Sequence, residues 1–83
     1  RLRAEILLES GRLEEALRQC REALRREEHH FLACYVLARC QVALRDGDAA
    51  LGSVNRALEI YPDYAPALQL KVEILSLQKA GEL

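Results

Sequence analysis

The sequence predicts an all-α fold: an αα-superhelix of antiparallel helix pairs, about five helices in all. Three observations carry this. The stretch "EEALRQCREALRR" at 14–26 nearly returns as "DAALGSVNRALEI" at 48–60, with Ala16 on Ala50, Leu17 on Leu51, Cys20 on Val54, Ala23 on Ala57 and Leu24 on Leu58, every pair at the same offset (i, i+34). Apolar residues recur at helical spacing, and no segment sustains the period-two alternation of a strand. Only two prolines and four glycines interrupt the chain, and all but Gly52 fall between the periodic segments or at the edge of one.

The elements follow in order. A first helix is expected over Leu2–Glu9, closed by Ser10-Gly11, and a second over Leu13–Arg26. Glu14 to Arg18, Arg18 to Glu22 and Glu22 to Arg26 are i,i+4 pairs on the polar side of the second, each worth a few tenths of a kcal/mol. A third runs over His30–Arg45 and stops at Asp46-Gly47-Asp48, where Asp46 or Asp48 can cap the next. The fourth runs to about Tyr61 and ends at Pro62, which lacks an N–H and disfavours a helical residue before it. Pro66, in a first-turn position, opens a fifth helix to about Lys79, closed by Ala80-Gly81. Gly47 and Gly81, which also stand at the i, i+34 offset, read as the recurring turn inside each helix pair, with Gly11 slightly early in that register. Gly52, inside a helix, costs about 1 kcal/mol relative to alanine, and the sequence offers no account of it beyond tolerance or a close neighbour.

Eighty-three residues make one domain at most. A chain of this size buries only about 60% of its unfolded surface, so its stability is marginal. With 51% hydrophobic and 30% charged residues it has a soluble globular balance. A formal net charge of −1 provides no electrostatic footing for nucleic acid or an anionic membrane surface. No apolar run approaches the length of a membrane span, and no segment of these residues reads as a signal peptide, though one could have been lost with the rest of a longer chain. The chain lacks an initiating Met and opens inside a helical pattern, so it is expected to be a piece of a longer array. Repeat 1 covers about 1–30 with its start truncated, repeat 2 about 31–64, and the first helix of repeat 3 about 65–83.

The recurrence has a physical reading. A short helix pair carries apolar residues on more than one side and cannot bury them alone; stacked copies bury each face against a neighbour. Small residues are needed where helices cross closely, hence Ala16, Ala23, Ala38, Ala50 and Ala57. Leucines fill the gaps beside them at 17, 24, 37, 51 and 58.

In this frame Phe31–Tyr64 resembles a tetratricopeptide repeat, a helix-turn-helix unit of about 34 residues. The family's key offsets hold Cys34, Leu37-Ala38, Gln41, Ala50, Val54, Ala57 and Pro62. The upstream copy supplies Ala4, Leu7, Ala16, Cys20 and Ala23, with Glu28 in place of proline. The downstream half copy supplies Leu68, Val72 and Leu75. Cys34, Gln41 and Lys71 depart from the usual tryptophan, aromatic and leucine.

The resemblance implies a protein–protein interaction scaffold without catalysis or cofactor, binding a peptide or helix of a partner protein in the concave groove lined by the first helix of each pair. Carried over residue by residue, that groove is expected to be lined by Leu32, Tyr35, Val36, Arg39, Val42, Gln69, Leu70, Glu73 and Leu77. One subclass grips acidic chaperone tails with a clamp of Lys, Asn and Arg. The corresponding positions here hold Tyr35, Val36, Arg39, Pro66, Leu70 and Glu73, of which only Arg39 has the right charge and Glu73 would repel a carboxylate. An apolar or amphipathic segment suits this trough better.

No constellation for catalysis stands out, and the chain is expected not to be an enzyme. There is no Gly-rich phosphate loop and no Ser-His-Asp arrangement. Cys20 and Cys40 fall at core positions, where cysteine acts as a small hydrophobe. His30 and Cys34 share a helix face, with His29 and Cys20 as further candidates, but without the tight paired spacing of zinc sites; no metal site is expected. An odd count of three cysteines without disulfide spacing suggests a reducing, cytoplasmic compartment. Two alternatives of other classes stand beside peptide binding. One is a structural segment that self-associates within a multiprotein assembly, with a homodimer through the uncapped fifth helix as its simplest form. The weaker is an RNA-binding helical repeat, which needs a basic concave face that this sequence lacks.

Overall fold

The computed structural model describes all 83 residues. It contains five helices and no strand: α1 (Arg3–Glu9), α2 (Leu13–Arg26), α3 (Phe31–Ala43), α4 (Gly47–Ile60) and α5 (Ala65–Lys79). They form the expected superhelix of helix pairs. α1, α3 and α5 touch in succession and form one layer. α2 packs on α1 and α3, α4 packs on α3 and α5, and α2 and α4 do not meet. No helix is long and apolar enough to cross a membrane.

The helix ends set the repeat. α1, α3 and α5 each close on a Schellman motif. The amides of Arg12, Asp46 and Glu82 donate to the carbonyls of Leu7, Gln41 and Leu77 at 2.9, 2.9 and 2.8 Å. The left-handed residue in the three turns is Gly11 at φ +78°, Arg45 at φ +64° and Gly81 at φ +75°. The pairing of Gly47 with Gly81 is therefore corrected: Gly11 and Arg45 are the equivalent turn residues at the i, i+34 offset. Gly81 falls slightly later because α5, at 15 residues, is longer than α3, at 13 residues. Gly47 is instead the buried first residue of α4. A Cβ there would meet Gln78 Nε2 and Leu83 Cβ at 3.0 Å, so this glycine lets the C-terminal turn lie against the start of α4.

Two further expectations shift. α3 starts at Phe31 and ends at Ala43, because His30 is its cap, with Nδ1 accepting from the Ala33 amide at 3.2 Å. Asp46, not Asp48, caps α4 by accepting from the Ala49 amide at 3.2 Å. The loops between pairs are equivalent: the His30 and Tyr64 amides donate to the Glu27 and Tyr61 carbonyls, each at 3.2 Å. Along α2, Glu22 pairs with Arg25 at 2.7 Å and Arg26 at 3.2 Å, while Glu14 to Arg18 and Arg18 to Glu22 form no ion pair. These contacts are exposed and add little to stability.

The core is one packing scheme used twice. Val36 and Cys40 of α3 pack on Ala4 and Leu7 of α1 and Ala16 and Cys20 of α2. Leu70 and Ile74 of α5, their equivalents one repeat on, pack on Ala38 of α3 and Ala50, Val54 and Ala57 of α4. All the buried side chains are apolar, and Ala16, Ala38, Ala50 and Ala57 are fully buried at the helix crossings, which close helix approach requires; Ala23, expected among them, is only half-buried.

Candidate functional site

α3 and α5 lie side by side with an open concavity of about 250 Å³ between them. Six of the nine residues expected in the groove line it: Tyr35, Arg39 and Val42 from α3, and Gln69, Leu70 and Glu73 from α5. Pro66, at the opening of α5, completes the lining. It occupies the repeat position of Leu32, one unit further along the chain, and that register was the signal for it in the sequence.

The other three lie elsewhere. Val36 is fully buried and belongs to the core against α1 and α2. Leu32 is half-buried against the same cluster, and Leu77 is half-buried near the C-terminal end of α5. Val36 and Leu70 occupy the same repeat position, the one that presses each of these helices onto the preceding pair. Leu70 accordingly reaches the concavity with only 8% of its surface exposed and otherwise serves as core.

Tyr35 is the best-supported wall of the site. The four aromatic residues of the chain form one cluster, which Tyr35 joins through Tyr64. The Tyr35 ring meets Tyr64 edge-on at 5.4 Å between centroids, Tyr64 meets Phe31 at 5.0 Å, and Phe31 meets Tyr61 at 5.0 Å. Such pairs add roughly 0.5–1.5 kcal/mol each beyond area burial. They tie the α4–α5 loop to the start of α3 and restrict the rotamer of Tyr35. Burial, then the neighbouring Tyr35, pushes the Tyr64 hydroxyl above its ordinary pKa. The Arg39 guanidinium sits 5.7 Å from the Tyr35 ring centroid, within cation–π range, and 3.7 Å from Glu5 of α1.

A second concavity, of about 230 Å³, lies in the gap between α2 and α4, with Cys34 and Leu37 of α3 at its base and Gly52, Ser53 and Arg56 on the α4 side. A Cβ on Gly52 would meet nothing within 4 Å, which removes the close-neighbour reading of that glycine.

The thiols and the His30 imidazole are engaged structurally. Cys20, Cys34 and Cys40 are free and buried. Burial pushes the Cys34 thiol up, and hydrogen bonding to Cys40, then burial, pushes Cys20 up. That bond favours charge on Cys40 at the expense of Cys20, and burial opposes charge on either sulfur. His30 uses Nδ1 to cap α3. No group of three or more His, Cys, Asp or Glu side chains is placed to hold a metal ion.

A family model described as tetratricopeptide repeat matches residues 7–79. No curated protein matches the chain.

Proposed function

The chain belongs to the tetratricopeptide repeat family, and we propose that it acts as a binding scaffold that takes a segment of a partner protein into the concavity between α3 and α5. Tetratricopeptide repeats in general are non-catalytic protein–protein interaction scaffolds. The observation that supports this particular site is the aromatic brace on Tyr35. A large side chain packed edge-on against Tyr64, which Phe31 and Tyr61 hold in turn, loses little conformational entropy when a ligand docks on it. Opposite it, Gln69 and Glu73 are exposed, and Pro66 and Val42 supply apolar floor. This combination of a rigid aromatic, a shallow apolar base and a few polar groups is typical of a surface that accepts an amphipathic segment.

The test is to select binders from a random dodecapeptide library on the immobilised chain and measure them against a variant with the concavity filled. Gln69→Trp places bulk into the site from an exposed position, where a substitution changes stability by no more than about 0.5 kcal/mol. Binders are expected to lose at least tenfold in affinity. Affinity unchanged by Gln69→Trp, or no binder at all, would remove the reading.

A second reading rests on a different face. Leu68, Val72 and Leu75 form an exposed apolar stripe along α5, with Val72 65% exposed. Lys79 ends this stripe, and Asp63 lies just before the start of the helix. An antiparallel α5–α5 pairing of two copies about Val72 brings Lys79 of each near Asp63 of the other, and it opposes the two helix dipoles. A parallel pairing would set like charges together. The occupant proposed for this face is therefore a second copy of the chain.

A further inference from the structure

The repeat register places one charged residue at the same position on each of the three inner helices: Glu5 on α1, Arg39 on α3 and Glu73 on α5, successive members one repeat apart. The row alternates in sign, yet it is not evenly paired. Arg39 is taken by Glu5, at 3.7 Å, and lies over the Tyr35 ring. Both partners of that ion pair are largely shielded, with side-chain exposures of 29% and 22%. Glu73 forms no ion pair and no hydrogen bond, is exposed, and lines the concavity. The one formal positive charge in the site is thus already compensated, and the one uncompensated charge is a carboxylate.

From this we propose that the partner segment carries a lysine or arginine whose charged end meets Glu73 and whose aliphatic stem lies on Tyr35, Val42 and Pro66, with apolar residues on either side of it in the peptide. The inference rests on the binding reading given above and adds the chemistry of the ligand. The recognising features are complementary to the two parts of such a side chain. A ring and two apolar residues suit the methylene stem, which long cationic side chains bury while keeping the charge at a wetter rim. Gln69, one turn before Glu73, offers a side-chain carbonyl as a second acceptor, and a cation that pairs with Glu73 extends the alternating row by one rung. An acidic segment meets the opposite situation: its carboxylate would face Glu73, while Arg39 would have to leave Glu5 to reach it. Like-charge juxtaposition of this kind selects against wrong partners more strongly than attraction rewards the right one.

The experiment is a double-mutant cycle on a peptide selected from the random dodecapeptide library, read by fluorescence anisotropy at low and moderate salt. The expected result is a selected set in which a Lys or Arg recurs between apolar residues. Replacing that residue by Gln should weaken binding about three- to fivefold on the parent chain and leave it unchanged on Glu73→Gln, as an exposed pair predicts. Glu73→Lys should reverse the preference, weakening the basic peptide about tenfold or more and strengthening its Glu counterpart. Glu73 is exposed, so neither variant disturbs the fold. Peptides that bind, weaken with Gln69→Trp and show no coupling to Glu73 would overturn this inference and leave the binding site standing. Peptides insensitive to Gln69→Trp, or no binders, would overturn both.

Discussion

At φ +64° Arg45 holds a left-handed conformation that costs a residue with a Cβ roughly 1 kcal/mol relative to glycine, and Gly11 and Gly81 take the same turn position without that cost. Gly52 presents the inverse case: it sits in the middle of α4 with open space where a Cβ would point. Adding a Cβ at Gly11 and at Gly52 should therefore move stability in opposite directions. Arg45→Gly and Gly52→Ala are each expected to raise it by roughly 0.5–1 kcal/mol, and Gly11→Ala to lower it by about 1 kcal/mol. The gain at Arg45 is reduced by the loss of its contact with the Glu82 carbonyl. Urea midpoints at unchanged m-value report this directly, and a Gly52→Ala variant less stable than the parent would show that something packs against that face of α4.

Element by element, the molecule is held by alanines at crossings and by one large apolar residue per helix turn beside them. Ala50 is fully buried where α4 meets α3. Ala50→Leu has no room there and should cost roughly 1–3 kcal/mol. On α5 the two faces separate cleanly. Leu70 is core as well as site wall, so Leu70→Ala should cost about 2–5 kcal/mol of stability and is unsuited to reading binding alone. Leu68, on the far side of the helix and 45% exposed, should tolerate alanine within about 0.5 kcal/mol. Thermal or urea unfolding of the three variants checks the set, and equal losses at Leu68 and Leu70 would mean that α5 is rotated from the position described. The element scale also explains Val36. A helix in a stacked array has one strip for the preceding pair and another for the concave face, and the two are neighbours along the chain. Tyr35 and Val36 fall on either side of that line.

Taken whole, the array has a core that repeats and an outer face of α5 that nothing in the chain covers. Pairing of two copies through Leu68, Val72 and Leu75 should appear as a concentration-dependent dimer in sedimentation equilibrium at tens of micromolar. Val72→Glu places a charge at the centre of the pairing and should restore the monomer without loss of helicity. A parent chain that sediments as a monomer throughout, or a dimer that survives Val72→Glu, would exclude this face as the contact. The sequence by itself determined the number of helices, their order, the length of the repeating unit and four of the five crossing alanines, Ala23 being only half-buried. All of these depend on local periodicity and on a volume limit that only small residues satisfy, as Ala16 and Ala50 illustrate. Tertiary structure decided the rest. Gly81 stands out of register with Gly11 and Arg45 because α5 is longer than α3, and a spacing count cannot tell whether Arg45 or Gly47 is the left-handed residue after α3. Val36 left the groove because α1 and α2 cover it, and Pro66 joined it because α5 starts beside α3. Arg39 lost its charge as a free feature because Glu5, one repeat earlier, comes within ion-pair reach only when the helices stack side by side. Proximity across helices is a property of their packing angles and distances, and those are set by the sum of many buried contacts rather than by any one segment of sequence.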